Sequence, residues 1–119
     1  MTKSLEDYLE TIYILSEESG FTRVVDVAKK LGVKMPSVNN AVKELASIKL
    51  VRYEKYREIT LTKEGVIVAR KVFGHHMILK EFLLSIGVPD EEAEREACLM
   101  EHILSDETIA AIKAATRKS

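Results

Sequence analysis

The sequence predicts a mainly α protein: an N-terminal winged helix-turn-helix over residues 1–62, then a helical second domain over residues 63–119. Three observations predict it. The hydrophobic period is helical along most of the chain. It breaks once, at residues 50–54 and 58–62, two short segments rich in Val, Tyr, Ile and Thr that read as a β-hairpin. Charge is also segregated: residues 21–73 carry twelve bases against five acids (+7), whereas residues 1–20 and 74–119 each carry −4. The net charge of −1 therefore conceals a basic middle suited to a polyanion between two acidic ends suited to cations.

The elements follow in order. Residues 4–19 form a first helix, with Leu5, Leu9, Ile12 and Leu15 on one face and Gly20 placed to end it. A short second helix, residues 23–31, turns Val24, Val27, Ala28 and Leu31 inward and stops at Gly32. The third begins at Pro36, a residue favoured in a first turn, and carries Val38, Ala41, Val42 and Leu45. After the hairpin, a long helix runs over residues 63–85, Gly87 to Asp90 break it, and a further helix extends to about residue 104. Ser105 caps a last helix through about residue 115.

Composition narrows the classes. With 46% hydrophobic and 31% charged residues, the chain matches a folded protein and not a disordered one. It has no apolar run near the ~18 residues of a membrane helix and no secretory h-region, so the expectation is a cytoplasmic protein without a membrane partner. One cysteine, Cys98, cannot form an internal disulfide.

Two constellations carry chemistry. Ala28, Gly32 and Val38 supply the small crossing residue, the turn and the apolar anchor that a helix-turn-helix needs. The outward face of the third helix then consists of Pro36, Ser37, Asn39, Asn40 and Lys43, in which Asn can pair with adenine and Lys with phosphate. Lys55 and Arg57 at the hairpin tip complete the predicted DNA contacts. The alternative is three small helices that pack alike and touch no DNA.

The second constellation is acidic. Cys98, Glu101 and His102, at i, i+3 and i+4, share one helical face and offer S, O and N donors, as a transition-metal half-site requires. Asp7 and Glu10 offer two carboxylates one turn apart, and His76 a further nitrogen. Each has a plainer reading: Asp7 as part of an N-cap begun at Ser4, Glu10 as a solvated residue, Cys98 as a small core residue. His75 and His76 diverge by ~100° and cannot both face one site.

The sequence resembles the diphtheria toxin repressor/manganese transport regulator family of metal-dependent repressors. The resemblance is carried by Glu6-Asp7-Tyr8-Leu9-Glu10-Thr11-Ile12-Tyr13, by the helix-turn-helix from Val24 to Leu45, by Tyr53-Glu54-Lys55-Tyr56-Arg57 and by Glu96-Ala97-Cys98-Leu99-Met100-Glu101-His102. It implies a divalent metal held by Asp7, Glu10, His76, Cys98, Glu101 and His102, acting as co-repressor of a homodimer on double-stranded operator DNA. Asp7 and Glu10 are similar to the manganese-type members, and Cys98 to the iron-type members. Fe²⁺ or Mn²⁺ is the implied co-repressor, with Co²⁺, Ni²⁺ or Zn²⁺ as substitutes in vitro. The iron-type ancillary site would need other residues at Lys80 and Glu94, and there is no room for an SH3-like domain.

Val72, Leu79, Phe82, Leu83 and Ile86 form the candidate dimer face, or else intramolecular core. Two rival functions are a winged-helix regulator that senses a non-metal ligand or partner, and a metalloenzyme. The enzyme reading lacks a nucleophile–base pair and a phosphate-binding Gly loop.

Overall fold

A computed structural model describes residues 1–53 and 58–118. Lys55 and Arg57, the predicted hairpin-tip contacts, lie outside the described residues. The elements run α1 (Lys3–Ser16), β1 (Thr22–Arg23), α2 (Val24–Leu31), α3 (Met35–Ser47), β2 (Val51–Tyr53), β3 (Glu58–Leu61), α4 (Lys63–Ser85), α5 (Asp90–Met100) and α6 (Asp106–Lys118). The chain divides into two compact units, Met1–Arg70 and Lys71–Ser119, each with its own core.

In the first unit, α1 is capped by Thr2, whose Oγ1 accepts from the Leu5 backbone N–H at 3.2 Å. The predicted start at Ser4 is one residue late, because Thr2 and not Ser4 supplies the cap oxygen. Helix α2 ends as expected at Gly32, which takes φ 67°, and the Val33 N–H closes the turn on the Ala28 carbonyl at 3.1 Å. Pro36 sits in the first turn of α3. Val24, Val27, Val38, Val42 and Leu45 are essentially fully buried against Leu9 and Ile12, which locks α3 onto α1 and α2.

The hairpin reading is met by β2 and β3, paired antiparallel with Val51 opposite Leu61 and Tyr53 opposite Ile59. A two-residue strand, β1, adds to the other edge of β3, giving the order β1-β3-β2. Two residues are too few for any hydrophobic alternation, so the sequence carries no sign of β1. The turn from α3 into β2 puts Lys49 at φ 64°, a left-handed conformation usually left to Gly or Asn.

Thr62 caps α4: its Oγ1 accepts from the Gly65 N–H at 3.0 Å and donates to the Lys49 carbonyl at 2.8 Å. Gly65 is needed there, because a Cβ would lie 1.9 Å from the Leu50 carbonyl oxygen.

The second unit builds a smaller core from Leu79, Leu83, Ala93, Ala97 and Ile109, with Phe82, Val88, Leu104 and Ile112 packed on it. For Leu79 and Leu83, therefore, the intramolecular reading of the apolar stripe holds, while Ile86 is 61% exposed. Ser105 starts α6 as predicted, accepting from the Thr108 N–H at 3.1 Å. None of the described helices is long and apolar enough to cross a membrane.

Candidate functional site

Helix α5 stops at Met100, short of the predicted residue 104. Glu101 nevertheless keeps helical angles (φ −61°, ψ −22°), and its N–H donates to the Ala97 carbonyl at 3.0 Å. The shared face of Cys98, Glu101 and His102 thus persists two residues beyond the helix. A ligand atom from each of these three lies within 4.8 Å of those of the other two. His76 joins them from α4, buried at 5% exposure.

Glu101 is the centre of this group. Its side chain is 1% exposed, with Oε2 3.3 Å from His76 Nδ1 and Oε1 3.3 Å from His102 Nε2. Among the described residues, neither carboxylate oxygen accepts a hydrogen bond of acceptable geometry. Burying an ionised carboxylate without hydrogen bonds is costly unless a positive charge stands beside it. Carboxylate oxygens, imidazole nitrogens and a thiol converging on one region are the donor set of a divalent transition metal, so the residues fit such an ion.

The other ring nitrogen of His76 is engaged. Nε2 donates to Glu94 Oε1 at 2.9 Å. Lys80 Nζ stands 2.9 Å from the second Glu94 oxygen and 3.7 Å from Asp90 Oδ1. The Lys80 ammonium, foremost, holds the Glu94 carboxyl below its ordinary range, and the hydrogen bond to Glu94 raises Lys80 in turn. His75 points elsewhere, with Nε2 3.8 Å from Asp106 Oδ1; Lys71 grips the same carboxylate at 2.9 Å and is the main cause of its lowered pKa. The two adjacent histidines diverge as helix geometry requires.

On the first unit, Asp7 and Glu10 are half-buried and one turn apart on α1. Because Thr2 is the N-cap, the plainer reading of Asp7 as a capping partner of Ser4 is set aside.

The recognition face of α3 matches its prediction in exposure. Pro36, Ser37, Asn40 and Lys43 are exposed and Val38 faces inward. Asn39 is half-buried, and its Oδ1 accepts from the Tyr53 hydroxyl at 3.0 Å. The bond from Tyr53, at the end of β2, to Asn39 is a contact that sequence reasoning missed. Asn39 lies fourteen positions away on α3, and the return of β2 beside that helix brings the two together.

Residues 1–59 match the family model of the iron-dependent repressor N-terminal DNA-binding domain, and residues 62–118 that of the iron-dependent repressor metal-binding and dimerisation domain. The chain is 39% identical over 115 residues to an HTH-type transcriptional regulator of Methanocaldococcus jannaschii, covering 95% of this chain and 92% of that protein. It is 42% identical over 104 residues to the HTH-type transcriptional regulator MntR of Geobacillus kaustophilus, covering 87% and 74%. A solved manganese-dependent transcriptional repressor in complex with manganese superposes with a TM-score of 0.84 at 28% identity. That match covers 94% of this chain, which spans about half (52%) of the solved one.

Proposed function

Because the chain belongs to the iron-dependent repressor family, and is a metal-dependent transcriptional repressor of that type, we propose that Asp7, Glu10, His76, Cys98, Glu101 and His102 hold its divalent co-repressor. The observation that carries this is Glu101: a buried carboxylate with an imidazole nitrogen 3.3 Å from each oxygen and, among the described residues, no hydrogen bond to either. When bound, the ion supplies positive charge that offsets the desolvated carboxylates. The ion is Fe²⁺ or Mn²⁺; the Cys98 sulfur favours the softer metals and the carboxylates the harder.

The chain's own residues divide the remaining work. Asp7 and Glu10 contribute from the DNA-binding domain, residues 1–62, and the other four donors from the metal-binding and dimerisation domain, residues 63–119. Metal occupancy favours the DNA-competent state of the protein. In a homodimer this holds two α3 helices ready for successive major grooves of operator DNA, ~34 Å apart. Pro36, Ser37, Asn39 and Asn40 face base edges, Lys43 faces phosphate, and Lys55 and Arg57 grip the flanking backbone. The output is repression of metal-homeostasis genes when metal is plentiful.

The test is a DNA-binding titration against Mn²⁺, Fe²⁺, Co²⁺ and Zn²⁺ at fixed salt, repeated with Asp7→Ala and Cys98→Ala. Metal-stimulated binding should weaken in both variants. Binding that responds to metal undiminished in both would refute the ligand assignment.

A further inference from the structure

We propose that Glu94 and Lys80 form a positioning relay that presents His76 to the co-repressor metal through Nδ1. The inference rests on the metal reading above and adds two residues that do not themselves touch the ion.

The argument begins with hydrogen-bond chemistry. An ionised carboxylate only accepts, so the 2.9 Å contact from Glu94 Oε1 places the His76 proton on Nε2. In the neutral ring the lone pair then resides on Nδ1, the nitrogen that faces Glu101 Oε2 at 3.3 Å. Glu94 therefore selects the tautomer that a metal needs and makes Nδ1 a better donor. Lys80 completes the relay by holding the other Glu94 oxygen at 2.9 Å, leaving Oε1 for the ring.

The spacing supports the same reading. His76 and Lys80 are four residues apart on α4, and Asp90 and Glu94 four apart on α5, so each pair occupies one helical face. Along this seam, Asp90 bonds Lys80, Lys80 bonds Glu94, and Glu94 bonds His76. The chain of contacts runs from a side chain 74% exposed to one only 6% exposed, so the charge ladder leads inward from solvent to the ring. A surface ion pair alone has little reason to end on a buried imidazole.

The full-length chain is the test material, with the His76 ring nitrogens read by long-range ¹H–¹⁵N NMR and metal affinity by competition with a chelator. The metal-free wild type should show Nε2–H, and Zn²⁺ should shift Nδ1. Glu94→Ala should lose the Nε2–H preference and bind Zn²⁺ and Mn²⁺ about 10–100-fold more weakly. Glu94→Gln, whose amide oxygen still accepts, should stay within about threefold of wild type. Lys80→Met should lose about two- to fivefold, in keeping with an exposed pair, and reads the relay even if Glu94→Ala folds poorly. A Glu94→Ala protein that keeps the wild-type tautomer and affinity, whatever its stability, overturns the relay. Wild-type His76 signals that ignore saturating Zn²⁺ overturn the metal reading itself.

Discussion

The two units of this chain bury different things. Among the described residues, the first holds fourteen buried hydrophobic residues in one cluster, and its buried polar side chains, Thr11, Ser16 and Thr22, are uncharged. The second holds five buried hydrophobic residues in its cluster and buries two ionisable side chains, His76 and Glu101. A DNA-reading unit must present α3 in one orientation, and apolar packing on α1 and α2 is enough for that. Under the proposed metal reading the second unit is completed by its signal: the Glu101 carboxylate is buried between two imidazole nitrogens 3.3 Å away, and a bound cation would offset its desolvation.

The sharpest way to break this comparison is to damage each unit in its own terms. Leu45→Ala removes a fully buried side chain from the first core and should cost about 2–5 kcal/mol, read from the urea midpoint of the metal-free protein. The metal affinity of whatever remains folded should be little changed. In the second unit, Mn²⁺ at a hundred times its Kd should raise wild-type stability by about 2.7 kcal/mol. Glu101→Gln should abolish that rise while leaving the metal-free protein at least as stable as wild type, since a neutral amide removes the buried charge. A Glu101→Gln protein still stabilised by Mn²⁺ would show that the contrast between the units has another cause.

A smaller effect belongs to the seam within the first unit. Tyr53→Phe deletes the hydroxyl that holds Asn39 Oδ1, worth about 0.5–1.5 kcal/mol, and should weaken sequence-specific DNA binding by roughly two- to tenfold. Fluorescence anisotropy on specific and scrambled duplexes measures it. Equal loss on both duplexes would mean that Tyr53 supports the fold and not the reading of bases.

What was legible in the sequence depended on whether the signal was local. The α2–α3 turn was readable because Ala28, Gly32 and Val38 sit at fixed offsets, and each requirement is met within one supersecondary motif. The grouping of Cys98, Glu101 and His102 was readable for the same reason, although α5 ends at Met100 and the shared face survives only through the helical angles of Glu101. Features that depend on tertiary register were not legible. Strand β1 exists because β3 offers an open edge, and the Tyr53–Asn39 bond because β2 returns beside α3. Lys80 and Glu94 looked like departures from a family pattern; only the packing of α4 on α5 shows that they engage one another and His76.

The central claim is that metal in the acidic site and DNA on α3 favour the same state of the protein. Thermodynamic linkage makes this measurable in both directions. The direct experiment takes a duplex selected from a random pool in the presence of Mn²⁺. It measures the DNA Kd with and without saturating Mn²⁺, and the Mn²⁺ Kd with and without saturating duplex. The account predicts that each ligand tightens the other by the same factor, at least tenfold or about 1.4 kcal/mol. A Mn²⁺ affinity indifferent to DNA would contradict it.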